Sequence, residues 1–127
     1  MNRKERRAAA KLSSPATQLL ATAVRLHRAG QLVAAEACYR QTLAAHPNLA
    51  EGHCNLGNAL VAQGKLDEAV TAYRQAIRVK PDFAEAHSNL GSALFGQRKL
   101  DEAVAAYRQA IGIKPDFAAA HSTSAAH

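Results

Sequence analysis

Residues 50–83 read AEGHCNLGNALVAQGKLDEAVTAYRQAIRVKPDF, and residues 84–117 read AEAHSNLGSALFGQRKLDEAVAAYRQAIGIKPDF. Of the 34 aligned positions 25 are identical, so the chain is assembled from copies of one unit. The frame extends backwards over 16–49, ATQLLATAVRLHRAGQLVAAEACYRQTLAAHPNL. There Gly30, Leu32, Ala35, Tyr39, Arg40, Gln41 and Pro47 keep register with Gly64, Leu66, Ala69, Tyr73, Arg74, Gln75 and Pro81. Forwards, 118–127 (AAAHSTSAAH) starts a fourth unit.

The spacing within a unit predicts two helices. In 50–83, Leu56, Gly57 and Leu60 share one helical face, and Gly64 closes that helix. A second apolar face follows, with Leu66, Ala69, Val70, Tyr73, Ala76 and Ile77 at three- and four-residue steps. Pro81 ends it, because proline lacks an amide hydrogen and disfavours helix in the residue before it. Asn48 and Glu51, and then Asp82 and Glu85, stand at capping-box spacing, which predicts side-chain N-caps. Phe83 is placed to staple the junction. Gly57 and Gly91 inside helices cost about 1 kcal/mol each relative to alanine. Close approach of a neighbouring helix accounts for them, with Tyr73 and Tyr107 as the fillers. Arg98 stands where the first two units have a turn glycine, at a cost of about 1 kcal/mol if the backbone there is left-handed.

Composition agrees with helices. Apolar residues make up 48% but aromatics only 5%, so alanine and leucine must do much of the packing, and both favour helix over strand. The net charge of +6 is concentrated at one end. Residues 1–11 (MNRKERRAAAK) carry five bases and one acid, while the remaining 116 carry 11 bases and 9 acids. One short cluster without interleaved aromatics predicts no specific nucleic-acid site. Residues 1–15 read as a basic arm or capping helix and its linker. Cys38 and Cys54 give no disulfide framework and read as ordinary buried or half-buried thiols. No run of 18 apolar residues predicts a membrane span, and the basic start lacks the apolar stretch of a secretory signal, so a cytoplasmic location is expected.

The 34-residue period closely resembles the tetratricopeptide repeat, through Leu56-Gly57, Ala69 and Pro81 and through Leu90-Gly91, Ala103 and Pro115. The resemblance implies an all-α, right-handed superhelical solenoid of stacked helix-turn-helix repeats. Its units are 16–49, 50–83 and 84–117, with 118–127 as a partial fourth unit acting as a cap. Two departures stand out: His53 and His87 occupy a place where the family often has tryptophan, and the first unit has Thr22-Ala23 in place of Leu-Gly.

The resemblance also implies that the first helix of each unit lines a concave groove. A helical wheel then leaves Arg28, Glu51, Asn55, Asn58, Glu85, Asn89 and Ser92 on the open side. Small amides and hydroxyls in a row suit an extended peptide, whose backbone they can pair with. Asn55 and Asn89 are similar to the asparagine ladder of O-linked N-acetylglucosamine transferase repeats, which lines a groove holding substrate polypeptide. Arg28 is the strip's one cation, and Glu51 and Glu85 oppose an acidic ligand such as the C-terminal carboxylate of a chaperone.

Other constellations look chemical and have structural readings. His53, His87 and His121 recur every 34 residues, but a zinc ion needs nitrogens about 2 Å away, and successive units lie at least a helix packing distance of roughly 8–10 Å apart. Asp67-Glu68 and Asp101-Glu102 fall in first turns, where acids suit the helix dipole. No nucleophile elbow, metalloprotease or phosphate-loop pattern occurs. The expected function is a non-catalytic scaffold, without cofactor or metal, that binds a peptide or helix of a partner protein in its groove. The alternative is the substrate-recognition arm of a bacterial O-linked N-acetylglucosamine transferase-like enzyme. The uncovered end of the third unit adds possible self-association.

Overall fold

The structure, a computed structural model, describes residues 15–115. They form six helices: α1 (Pro15–Arg28), α2 (Leu32–Ala45), α3 (Ala50–Ala62), α4 (Leu66–Val79), α5 (Ala84–Gly96) and α6 (Leu100–Ile113). The basic arm, the partial fourth unit and His121 lie outside the described residues. Each helix packs on its chain neighbours, and the first helices of adjacent units also touch, α1 on α3 and α3 on α5. The first and third units make no direct packing contact. This nearest-neighbour pattern makes the chain an all-α solenoid, in which a two-helix unit buries its apolar faces only by stacking.

The turn inside each unit follows one scheme. Gly64 takes φ +78°, its amide bonds Val61 O, and the amide of Lys65 bonds Leu60 O, the paired bonds of a Schellman closure. Gly30, at φ +80°, repeats the scheme, its amide bonding His27 O and the amide of Gln31 bonding Leu26 O. In the third unit Arg98 adopts φ 65°, its amide bonds Phe95 O, and the amide of Lys99 bonds Leu94 O. The tertiary fold therefore imposes a left-handed conformation on a residue that has a Cβ.

Helix pairs lock through a missing Cβ. A methyl group on Gly57 would lie 2.5 Å from Cε1 of Tyr73, and one on Gly91 would lie 2.9 Å from Cε1 of Tyr107. Tyr73 is buried, whereas Tyr107 is half-buried. The third unit thus holds its tyrosine less tightly.

The junctions between units differ from the sequence expectation. The capping boxes do not form: the N-cap positions are Leu49 and Phe83, without side-chain cap bonds. A tight turn is the reason. The Leu49 amide bonds His46 O and the Phe83 amide bonds Lys80 O, which carries Asn48 and Asp82 past the cap and turns the apolar Leu49 and Phe83 against the core. The turn is held by histidine instead. His53 Nε2 is 2.8 Å from Pro47 O, and His87 Nε2 is 2.9 Å from Pro81 O. His53 and His87 each thus fasten their helix to the proline that ended the one before.

Polar latches also cross the units. Gln63 Nε2 and Lys65 Nζ of the second unit donate to Glu36 Oε1 of the first, at 3.0 and 3.1 Å, while Arg40 Nε donates to Oε2 at 2.9 Å. Gln97, one repeat after Gln63, donates to Asp67 of the second unit. Hydrogen bonds from Gln63 and then Arg40, with Lys65 adding, lower the Glu36 carboxyl from 4.5 to about 2.

Two outcomes follow for stability. Arg98→Gly should raise the unfolding free energy by about 1 kcal/mol and Gly64→Arg should lower it by a similar amount, measured by urea unfolding. A carboxyl whose pKa is depressed on folding stabilises above its unfolded value and loses that stabilisation as pH falls towards the folded one. Arg40 and Lys65 are about half exposed, so Glu36→Gln should cost only about 1 kcal/mol at pH 7. The difference from the parent should shrink as pH falls from 4.5 towards 2, read in the same titrations.

Candidate peptide-binding groove

Because α1 and α5 both touch α3 without packing on each other, a gap opens across the middle unit. It is a hollow of about 390 Å³. Val24, His27 and Arg28 of α1 form one wall, Glu51 and Asn55 of α3 the base together with Tyr39 of α2, and Phe83 and Glu85 the far wall. Three units thereby contribute to one site. Arg28, Glu51 and Glu85 are exposed, and no described residue gives any of them a salt bridge or side-chain hydrogen bond. Asn55 is half-buried and likewise has no side-chain partner among the described residues. The failed capping boxes explain the freedom of both glutamates, since the same turn that moves Asn48 and Asp82 away leaves these carboxylates to solvent.

The charges act on what lies beneath them. Burial raises the pKa of the Tyr39 hydroxyl, Arg28 pulls it the other way, and Glu51 adds to the rise. Burial pushes the Cys54 thiol up to about 12, with Glu85 and Glu51 adding and the Asn89 hydrogen bond opposing. The fields of the two glutamates therefore overlap at the buried Cys54 thiol.

Four of the seven expected site residues, Arg28, Glu51, Asn55 and Glu85, share this hollow. The other three have internal partners. Tyr73 Oη donates to Asn58 Oδ1 at 2.5 Å, and Ser92 Oγ lies 2.9 Å from Tyr107 Oη. Asn58 and Ser92 occupy equivalent positions in successive units and each meets the hydroxyl of its own unit's tyrosine, which for the buried Tyr73 satisfies a phenol that needs a partner. In the first unit that position is Val24, and Tyr39 Oη instead meets His27 Nδ1 at 3.3 Å. Asn89 Nδ2 donates to Asn58 Oδ1 at 3.0 Å and to Cys54 Sγ at 3.8 Å, which leaves its carbonyl oxygen open. His27, Tyr39 and Phe83 were not on the wheel-derived strip. The recurring tyrosine was the available signal, because a phenol reaching across its unit must end near the first helix.

A larger hollow, about 480 Å³, opens behind α3, where His53, Leu56 and Leu60 meet Arg40 and Gln75. Its lining recurs 34 residues later at His87, Leu90, Leu94, Arg74 and Gln109. A cleft repeated at each boundary is the seam between units. Among the described residues no group of three or more His, Cys, Asp or Glu could hold a metal ion, and no helix is long and apolar enough to cross a membrane.

A family model described as tetratricopeptide repeat matches residues 54–117. The chain belongs to the tetratricopeptide repeat family. Among solved structures, this tetratricopeptide chain is similar to the first such domain of Spaghetti (RPAP3), bound to the HSP90 peptide SRMEEVD, at 24% identity and a TM-score of 0.77, covering 79% of each chain. It is also similar to MamA, at 25% identity and a TM-score of 0.77 over 81% of this chain. It spans only 60% of the MamA chain. No match among curated proteins was found.

The two thiols of this repeat protein are buried, and Cys38 Sγ donates to Leu19 O at 3.2 Å. With Cys54 at about 12, its thiolate is scarce at ordinary pH, and the thiolate is the reactive form. We expect a disulfide reagent at pH 8 to label Cys54 at least a hundredfold more slowly in the native protein than in urea, read by absorbance and mass.

Proposed function

We propose that the groove binds an extended segment of a partner protein and that the chain is a non-catalytic scaffold. The observation that carries this reading is the convergence of unpaired Arg28, Glu51, Asn55 and Glu85, from three units, on one open hollow. The Spaghetti domain, with a similar fold, holds a peptide. Here the ligand chemistry should differ. Two carboxylates face one guanidinium, so a segment as acidic as SRMEEVD meets net repulsion, while a lysine or arginine can settle between Glu51 and Glu85. Asn55 can pair with the ligand backbone, and Arg28 can take an acidic or C-terminal group at the other wall.

The alternative role, a substrate-holding arm of an O-linked N-acetylglucosamine transferase-like enzyme, rests on Asn55 and Asn89. Only Asn55 keeps its whole amide for a ligand, since Asn89 uses its nitrogen internally, and the scaffold reading is favoured accordingly. The apolar end of the third unit favours a second property of the same scaffold, self-association through that end.

The groove is tested by calorimetric titration with pairs of ten-residue peptides that differ only in lysine against glutamate. Lysine peptides should bind more tightly, and Glu51→Gln with Glu85→Gln should weaken them by roughly tenfold. Equal binding of the glutamate peptides, or indifference to both substitutions, would remove this groove as the site.

A further inference from the structure

Six large apolar side chains are well exposed among the described residues, and four of them lie at the α5–α6 end: Phe95 at 62%, Leu100 at 54%, Val104 at 46% and Ile111 at 49%. One repeat earlier, the equivalents Val61, Leu66, Val70 and Ile77 are covered better: Val70 is only 7% exposed, and Leu66 and Ile77 are half-buried. The next unit provides the cover, for Gly96 of α5 sits so close to Leu66 that a Cβ there would be 3.0 Å from its Cδ1. Among the described residues, therefore, nothing covers on the third unit the surface that the second unit uses for stacking. An exposed apolar cluster of this kind marks an interaction face.

The charges beside that face select the occupant. On α6, Leu100, Val104 and Ile111 form one stripe, and Asp101 and Arg108 flank it on the same side, seven residues apart. Their separation is about 10 Å, two helical turns. A helix running antiparallel across α6, related by a two-fold axis near Val104, would bring its own Arg108 to Asp101 and its own Asp101 to Arg108. The same axis sets Val104 against its copy and Ile111 against Leu100 and Phe95. Apolar pairing and charge pairing agree in one register, and this register needs no sequence other than that of α6 and the end of α5.

Resting on the self-association reading above, we propose that a second copy of this chain docks on the α6 face, antiparallel and two-fold symmetric, with Asp101 and Arg108 paired across the axis. A single helix pair is at the small end of specific interfaces, so the dimer should be weak, with a dissociation constant on the order of tens of micromolar.

Sedimentation of the full chain between about 5 and 500 µM gives the test. The mass should rise from 13.5 kDa towards twice that value. Val104→Glu should abolish the rise with helicity unchanged by circular dichroism, which is feasible at a site that is 46% exposed. Asp101→Arg and Arg108→Asp should each weaken the dimer about tenfold, and combining them should restore it. A chain that stays monomeric throughout would end the self-association reading itself. A dimer indifferent to Val104→Glu would place the contact elsewhere. A dimer sensitive to Val104→Glu but not rescued by the double swap would keep self-association and overturn the antiparallel register.

Discussion

A two-helix unit of this chain holds together where a tyrosine ring occupies the space a Cβ would have filled. Tyr73 over Gly57 is the clearest case, with the ring too close for any side chain on the facing helix. The ring brings its hydroxyl to the far side, and a buried phenol without a partner would cost about 1–3 kcal/mol. The position that partners it, Asn58 as acceptor in the second unit and Ser92 in the third, is thereby tied to packing. The first unit has Ala23 and Val24 at the glycine and acceptor places and solves the same problem with His27. Gly57, Tyr73 and Asn58 therefore act as one device with a steric half and a polar half.

This device explains which parts of the structure could be read from letters. The 34-residue period, the helix pairs, the glycine–tyrosine contacts and the left-handed turn at Arg98 follow from spacing and sterics, which are local or repeat with the unit. The capping boxes did not follow. Asn48 with Glu51 has the right spacing, but the cap needs Asn48 to sit at the helix entrance, and the competing apolar demand of Leu49 wins that place. The internal partners of Asn58 and Ser92 were not legible from the wheel, because it knows which side of its own helix a residue occupies and nothing of the phenol arriving from the partner helix. The groove was legible in outline through α3 and α5, and its base at Tyr39 only through a contact that spans the unit.

The same turn that defeats the capping boxes creates the groove's character. Had Glu51 and Glu85 folded back onto backbone amides, the hollow would present Arg28 and neutral amides. With apolar N-caps and histidine clasps holding the turn, the carboxylates remain available, and their fields already reach Cys54 and, from Glu51, Tyr39. The site's acidity is thus a by-product of how successive units are joined.

The third unit differs from the second in ways that all point the same direction. Its turn forces a left-handed arginine, its tyrosine is only half-buried, and no described residue covers its stacking surface. In a nearest-neighbour solenoid a unit's stability comes from its own contacts and its interfaces with adjacent units, and among the described residues the third unit has one such interface, with the second. Anything that binds the folded end and not the unfolded one shifts the equilibrium in its favour by mass action. The unit with the least stability of its own is therefore the one whose folding gains most from an occupant on α6. Association at that end and local stability are one coupled quantity, while the groove takes only Glu85 from the third unit and the rest of its lining from the first two.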